Sequence, residues 1–317
     1  MEKLTVIIFS YNHERYLARA LDSVLCQVTS FPFRILIADD ASSDRSREII
    51  RNYAERHRGC IEAILRPQNL GSMENYRQTL ASVRSEYVIV NDGDDWFTDS
   101  LKLQRQVDYL DKHRECALCF HPVRIEKEGE SAGNDVFPLC KDWKEQSLDE
   151  LLKRNFMQTN SVMYRWAFND GTLLHHLPGG IVPGDHFLHL LHAERGRIGF
   201  LPEIMAVYLR HPGSVWEGDA KTPSWFLRCA EEHIRFYEEL EKRYGVNMHC
   251  NIRFMQKHLQ LARQGHATIL QKIRWYILSK LTCGSYRKMY KSLCRLMRLW
   301  PVFYAGNLFY CMASLLV

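Results

Sequence analysis

The sequence predicts an open, mainly parallel α/β sheet with helices on both faces, and three observations carry that expectation. Short apolar, β-branched runs alternate with amphipathic stretches of helical length over the first 120 residues. Polar residues gather just after those runs, at the carboxyl ends of the predicted strands, where such sheets hold their ligands. The 317 residues are 46% hydrophobic and 25% charged, enough for one large or two modest cores, which excludes disordered, collagen-like and mini-protein classes.

Taken in order, Thr5–Phe9 reads as a strand and His13–Cys26 as the helix after it. The pairs Phe33–Ala38 with Asp44–His57, Ile61–Leu65 with Ser72–Ser82, and Tyr87–Val90 with Leu101–Lys112 repeat the beat. Ser43 or Asp44 is suited to cap the second of these helices. Further on, 185–194 reads as a helix behind the glycine-rich Pro178–Gly184 segment, 204–209 as a strand, and 224–243 and 252–282 as helices.

The strand ends are Ser10-Tyr11-Asn12, Asp39-Asp40-Ala41-Ser42 and Asn91-Asp92-Gly93-Asp94-Asp95. Asp92, Asp94 and Asp95 repel one another unless a cation or hydrogen-bond donors gather them, and Gly93 permits a tight turn. Neither G-x-G-x-x-G nor G-x-x-x-x-G-K occurs, so dinucleotide-fold and P-loop readings fail. A hard divalent cation on carboxylate oxygens is the other common way to hold a diphosphate.

With Thr5–Asn12, Ile37–Asp44, Asn69-Leu70-Gly71, Asn75, Asn91–Trp96, Gly184-Asp185, Val207–His211 and Gly213–Trp216 in this order, the chain resembles the inverting glycosyltransferases of family 2 over residues 1–216. The resemblance implies a GT-A doubly wound fold and a nucleotide diphosphate sugar donor. Ser10, Tyr11, Asp39, Asp40, Asn69 and Asp92 would then bind the donor nucleotide, and Asp95 and Asn75 would contact donor or acceptor sugar. Asp94, with Asp92 and His211, would hold Mn2+ or Mg2+. Met73-Glu74 stands where many relatives carry an arginine. Asp185 is the expected general base for the acceptor hydroxyl; an N-cap role at the start of its helix is compatible with that task. Trp143, Gln158, Thr159 and Asn160 are assigned either to the acceptor side or to ordinary packing.

Histidines 186, 189 and 192 recur every third residue, a spacing that drifts around a helix and so disfavours a shared metal. Gln271-Lys-Ile-Arg-Trp275 spells the signature of processive polysaccharide synthases, yet lies 86 residues from Asp185 without long apolar spans beside it, so it reads as part of a basic amphipathic helix. The ten cysteines read as reduced core thiols; only Cys116 and Cys119 have metal-like spacing, with no second pair. No secretory leader is expected at the start, which points to a cytoplasmic protein.

Glu241 is the last acidic residue, and 242–317 carry thirteen Lys and Arg, against 29 basic and 37 acidic residues before them. This predicts a GT-A catalytic domain over 1–220 and a basic helical extension over 221–317. The uncharged Leu299–Val317 end is too short after Pro301 to span a bilayer, so the extension either covers the sheet or lies on an anionic membrane face. The expectation is a metal-dependent hexosyltransferase acting on a saccharide or lipid-linked saccharide, peripheral at the membrane and without nucleic acid. A sugar-nucleotide pyrophosphorylase needs a glycine-rich loop near the first strand that Ser10-Tyr11-Asn12 does not supply. The other alternative is a non-catalytic sugar- or nucleotide-binding scaffold, against which the retention of Asp92, Asp94 and Asp185 argues.

Overall fold

The computed structural model describes residues 2–214 and 223–264, apart from 131, 132, 134 and 139–143. The apolar end, the Gln271–Trp275 signature, Trp143 and Trp216 therefore lie outside the described residues. The chain begins β1 (Leu4–Ser10), α1 (Leu17–Leu25), β2 (Phe33–Asp39), α2 (Ser46–Arg56), β3 (Ile61–Leu65), α3 (Ser72–Ala81) and β4 (Tyr87–Asp92). It continues β5 (Trp96–Phe97), α4 (Lys102–Lys112), β6 (Cys116–Phe120), β7 (Val123–Lys127), β8 (Val136–Phe137), α5 (Leu148–Lys153), β9 (Met163–Arg165), α6 (Leu173–His176) and α7 (Gly184–Ala193). After β10 (Arg197–Phe200) and β11 (Ala206–Arg210) come α8 (Pro223–Tyr244) and α9 (His249–Arg263).

The main sheet has the order β10-β6-β9-β4-β1-β2-β3, and only β9 runs against its neighbours. A second sheet, β5-β11-β7-β8, flanks its carboxyl edge through β5, which follows β4 directly. Alternation along the strands sorts the core into two layers. Leu4, Val6 and Ile8 of β1 pack with Leu17, Leu21 and Val24 of α1, Ile50 of α2 and Leu103, Val107 and Leu110 of α4. Ile7 of β1 and Val88 and Val90 of β4 face the other way, into Leu80 of α3, Leu188 and Leu191 of α7 and Phe236 and Leu240 of α8. Helix α8, which the sequence places in the extension, thus lays its apolar stripe on the body of the protein.

Helix α1 starts at Leu17, not His13, because Asn12, His13 and Glu14 donate their N–H groups to Ser42 Oγ, Ser46 Oγ and Asp44 Oδ2 on the loop before α2. Asp44 also accepts the Ser46 N–H at 2.9 Å, but it precedes Arg45, the cap residue of α2, so neither Ser43 nor Asp44 is the N-cap the sequence suggested. Cys116 and Cys119 are buried in β6, whereas Cys26 and Cys250 are exposed, so the core-thiol expectation does not extend to those two. Among the described residues no helix is long and apolar enough to cross a membrane.

Lys102 is fully buried at the start of α4, its Nζ donating to Gln106 Oε1 at 2.5 Å and lying 4.5 Å from the centre of the Phe97 ring. Burial lowers its pKa from 10.5 to about 7. Between those values the unfolded chain holds a proton that the folded chain lacks, so this group makes stability rise with pH across that window, by on the order of 4 kcal/mol in all. Lys102→Met should stabilise the protein by about 1–3 kcal/mol at pH 7, with the gain shrinking by pH 9. Urea unfolding of both chains at the two pH values measures this, and a gain that grows with pH would contradict it.

Candidate active site

Strand register builds the site. Ser10 pairs with Asp39 across β1 and β2, and Phe9 pairs with Asp92 across β1 and β4, so three strand ends meet at one edge. The loops beyond them are locked together. Besides the three N–H groups held by the α2 loop, Asn12 Oδ1 accepts the Ser43 N–H and Glu14 accepts the Arg45 N–H, each at 2.9 Å. Asn12 and Ala41 hold left-handed backbones, with φ of 57° and 60°, which cost about 1 kcal/mol each and are sustained by this lattice of bonds.

On the nucleotide side, Tyr11 is half exposed, while Ser10 is buried with an Oγ that has no hydrogen-bond partner. Asp39 is fully buried; Ser42 donates to it through both its N–H and its hydroxyl, and Arg47 Nε stands 3.8 Å away. Asp40 and Asn69 are brought together, but onto each other's segments. Asp40 Oδ1 accepts the Leu70 N–H at 2.7 Å, and Asn69 donates to the Asp40 carbonyl at 3.0 Å. Asn75 is buried and donates to the Ala38 carbonyl, while its Oδ1 accepts from Arg66 Nε. Arg66, which sequence reasoning passed over, also donates to Thr79 Oγ and thereby fixes a guanidinium beside α3, whose first turn carries Met73 and Glu74.

The carboxylate cluster is held apart by separate partners. Asp95 turns inward, fully buried, and its Oδ1 accepts the Leu209 N–H at 2.9 Å, which ties the turn to β11. Asn91 Nδ2 donates to the carbonyls of Asp92 and Asp95 and closes the turn. The tight approach at Gly93 is real: a Cβ there would come within 2.7 Å of His13 Nδ1. Asp94 Oδ2 lies 2.9 Å from His211 Nε2 and 3.9 Å from His13 Nε2. Burial pulls the Asp94 carboxyl upward, but the His211 hydrogen bond and the two imidazoles outweigh it and hold the group below its ordinary value. Asp92 lacks such a partner, so burial, with Asp94 and Asp185 nearby, pushes it up to about 8.

These groups fit a hard cation. Asp92 and Asp94 offer oxygen ligands two residues apart, at the end of β4 and in the turn after it. His13 Nδ1 is buried without a partner in the same corner. Gly213 donates its N–H to His211 Nδ1 at 3.2 Å, which leaves the ring proton on Nε2, directed at Asp94. For His211 to ligate a cation, that proton must leave Nε2.

Asp185 sits in the first turn of α7, which begins one residue earlier than expected. It does not cap that helix by the usual bond; Oδ1 accepts the His186 N–H at 2.8 Å and Oδ2 accepts the Thr159 hydroxyl at 2.7 Å. The histidines of α7 part ways as their spacing implies. His186 Nε2 meets the Leu151 carbonyl, His189 Nδ1 the Tyr164 hydroxyl and His192 Nδ1 the Leu188 carbonyl, all buried. Burial drives His189 to about 4 and His192 to about 3, so both are neutral core residues. Among the described residues, the one trio of metal-ligating side chains within 4.8 Å of one another is His113, Glu115 and Glu145, at the amino end of β6, where Arg197 pairs with Glu145 at 2.9 Å.

The family model described as glycosyl transferase family 2 matches residues 5–172. The chain belongs to glycosyl transferase family 2. An uncharacterized protein of Mycobacterium tuberculosis is 43% identical over 215 residues, 67% of this chain and 60% of that protein. The chain thus spans less than two thirds of the length of that relative. An uncharacterized glycosyltransferase of Nostoc sp. is 39% identical over 166 residues, covering 52% of this chain and 48% of its own. Staphylococcus aureus TarS residues 1–349, solved with UDP-GlcNAc, shares the fold with a TM-score of 0.53 at 17% identity over 82% of this chain and 81% of that one. The mannosyltransferase PcManGT of Pyrobaculum calidifontis, solved with GDP-Man and Mn2+, has a TM-score of 0.53 at 14% identity, covering 99% of this chain and 84% of its own. The chain is therefore a family 2 member with the GT-A fold.

Proposed function

We propose that this family 2 transferase is a metal-dependent, inverting hexosyltransferase that moves a sugar from a nucleotide diphosphate sugar to a hydroxyl of a saccharide or lipid-linked saccharide, in surface polysaccharide or lipid-linked glycan assembly. The observation that supports it is the pair of held carboxylates, Asp94 bonded to His211 after β4 and Asp185 bonded by Thr159 and the His186 N–H at the start of α7. In this reading Asp185 is the base and the Asp92–Asp94 turn is the diphosphate-binding corner, the two parts that single displacement needs.

Ser10, Tyr11 and Asp39 line the nucleotide, while Asp40, Asn69, Asn75 and Asp95 hold the walls in shape. Asp94 and Asp92, with His211 at Asp94, would hold Mn2+ or Mg2+, which supplies charge neutralisation for the departing diphosphate. Asp185 takes the proton of the acceptor hydroxyl as its oxygen bonds to the anomeric carbon. The bond from that carbon to the diphosphate breaks on the opposite face, its electron pair leaves with the diphosphate, and configuration inverts. The nucleotide sugars and the Mn2+ in the TarS and PcManGT structures support the donor class and the cation.

The test is a thermal-shift titration with UDP, GDP, UDP-GlcNAc and GDP-mannose, with and without Mn2+ or Mg2+, since a ligand of the folded state raises its stability as ln(1 + [L]/Kd). At least one nucleotide should stabilise the protein, and more so with a cation. No shift with any of them would remove the donor assignment.

The basic stretch 242–317 is proposed to hold the enzyme on an anionic membrane, because its thirteen Lys and Arg have no acidic residue among them. Flotation of the full chain with phosphatidylserine-containing vesicles at low salt should recover it in the lipid fraction, and less at high salt. Recovery in the soluble fraction at low salt would refute the membrane role.

A further inference from the structure

Three residues between α5 and β9, the 3-10 turn Thr159–Ser161, are bonded to the Asp185 carboxylate, to β11 and to α4 without belonging to any of the motifs that mark the site. The Thr159 hydroxyl is nearly buried and donates to Asp185 Oδ2 at 2.7 Å. The other carboxylate oxygen accepts the His186 N–H at 2.8 Å, so the plane of the Asp185 carboxylate is fixed by one donor on each oxygen. Asn160, fully buried, donates to the Val207 carbonyl of β11 at 2.9 Å. The Ser161 carbonyl accepts from Gln106 of α4 at 2.9 Å, which anchors the turn from behind.

The same strand β11 gives the Leu209 N–H to Asp95 and leads directly to His211, the partner of Asp94. One short turn is therefore bonded at consecutive residues to the Asp185 carboxylate and to the strand that orients the carboxylate turn. A displacement of about 1 Å between base and reacting carbon is enough to cost orders of magnitude in rate, so a rigid link between these two parts has kinetic weight.

We propose that Thr159 is a positioning residue for Asp185, and that the Thr159–Ser161 turn sets the base relative to the cation-binding edge. This rests on Asp185 being the base. Thr159 touches neither donor nor cation in this account, so removing its hydroxyl should act on turnover and not on donor binding.

The experiment compares full-length wild type with Thr159→Val, Thr159→Ser and Asp185→Asn. The probe is Mn2+-supported hydrolysis of UDP-GlcNAc or GDP-mannose, whichever the protein binds, with water in the place of the acceptor. Valine keeps the shape and loses the donor; serine keeps the donor. Thr159→Val should lower kcat roughly 10- to 100-fold with KM and the thermal shift by nucleotide unchanged, and Thr159→Ser should return to within about threefold of wild type. Wild-type kcat in Thr159→Val, with Asp185→Asn impaired, would overturn the positioning role alone. Loss of nucleotide binding in Thr159→Val, or equal impairment of Thr159→Ser, would also overturn it by showing a packing effect. Wild-type kcat in Asp185→Asn would instead remove the base assignment on which the proposal rests.

Discussion

Asp185→Asn should bind donor as wild type does and transfer sugar about 10²–10⁴ times more slowly, a barrier increase of roughly 3–5 kcal/mol. The amide has the size of the carboxylate, and its oxygen can still accept the His186 N–H, while its NH2 group can turn to the Thr159 hydroxyl. Folding and donor binding therefore give no reason for the loss. What disappears is a site for the acceptor proton, because a neutral amide is not a base at any pH the protein survives. Pre-steady-state turnover with a donor already bound separates the chemical step from binding. A purified variant that turns over near the wild-type rate would move the base to another residue.

Asp94→Ala should lose the cation-dependent part of nucleoside diphosphate affinity, about 10²-fold or more, and leave the cation-independent part in place. Asp94 is the carboxylate of the turn whose pKa is held down, so it is the one charged at neutral pH without help from a cation. Asp92, at about 8, is mostly protonated there, and Asp95 is turned inward onto Leu209. Removing Asp94 takes away the carboxylate bonded to His211. The thermal-shift titration with Mn2+ reads the change directly, and equal Mn2+-dependent stabilisation of the variant would place the cation elsewhere.

How far the sequence could be read follows from how local each signal is. β1 to α4 were legible because each strand is a run of apolar, β-branched residues with its own period, and the observed bounds differ from the expected ones mostly at the ends. β9 has three residues and β5 two, too short to show a period, so the antiparallel insertion between β4 and β6 left no trace. Asp94 and Asp185 could be singled out because their motifs are contiguous. His211 could be named beside Asp94, but His13 could not, since it meets Asp94 only through the pairing of β1 with β4, and the bond from Thr159 to Asp185, 26 residues apart, left no sign in the sequence. Lys102 in a helical pattern looks like a solvent-facing charge; only the fold shows that Phe97 and Gln106 enclose its amine.

The cross-bonded loops after β1 and β2 change the thermodynamics of capturing a donor. A loop that orders only when substrate arrives subtracts its ordering entropy from the affinity, on the order of 1–2 kcal/mol for each residue fixed. Here the backbone N–H groups of Asn12, His13, Glu14, Ser43 and Arg45 are already bound before any ligand arrives, so that cost is met during folding. Nucleotide should therefore meet a wall of fixed shape, bind with little change in the amide exchange of residues 10–14 and 40–46, and discriminate between bases by fit to a rigid surface more than by induced closure.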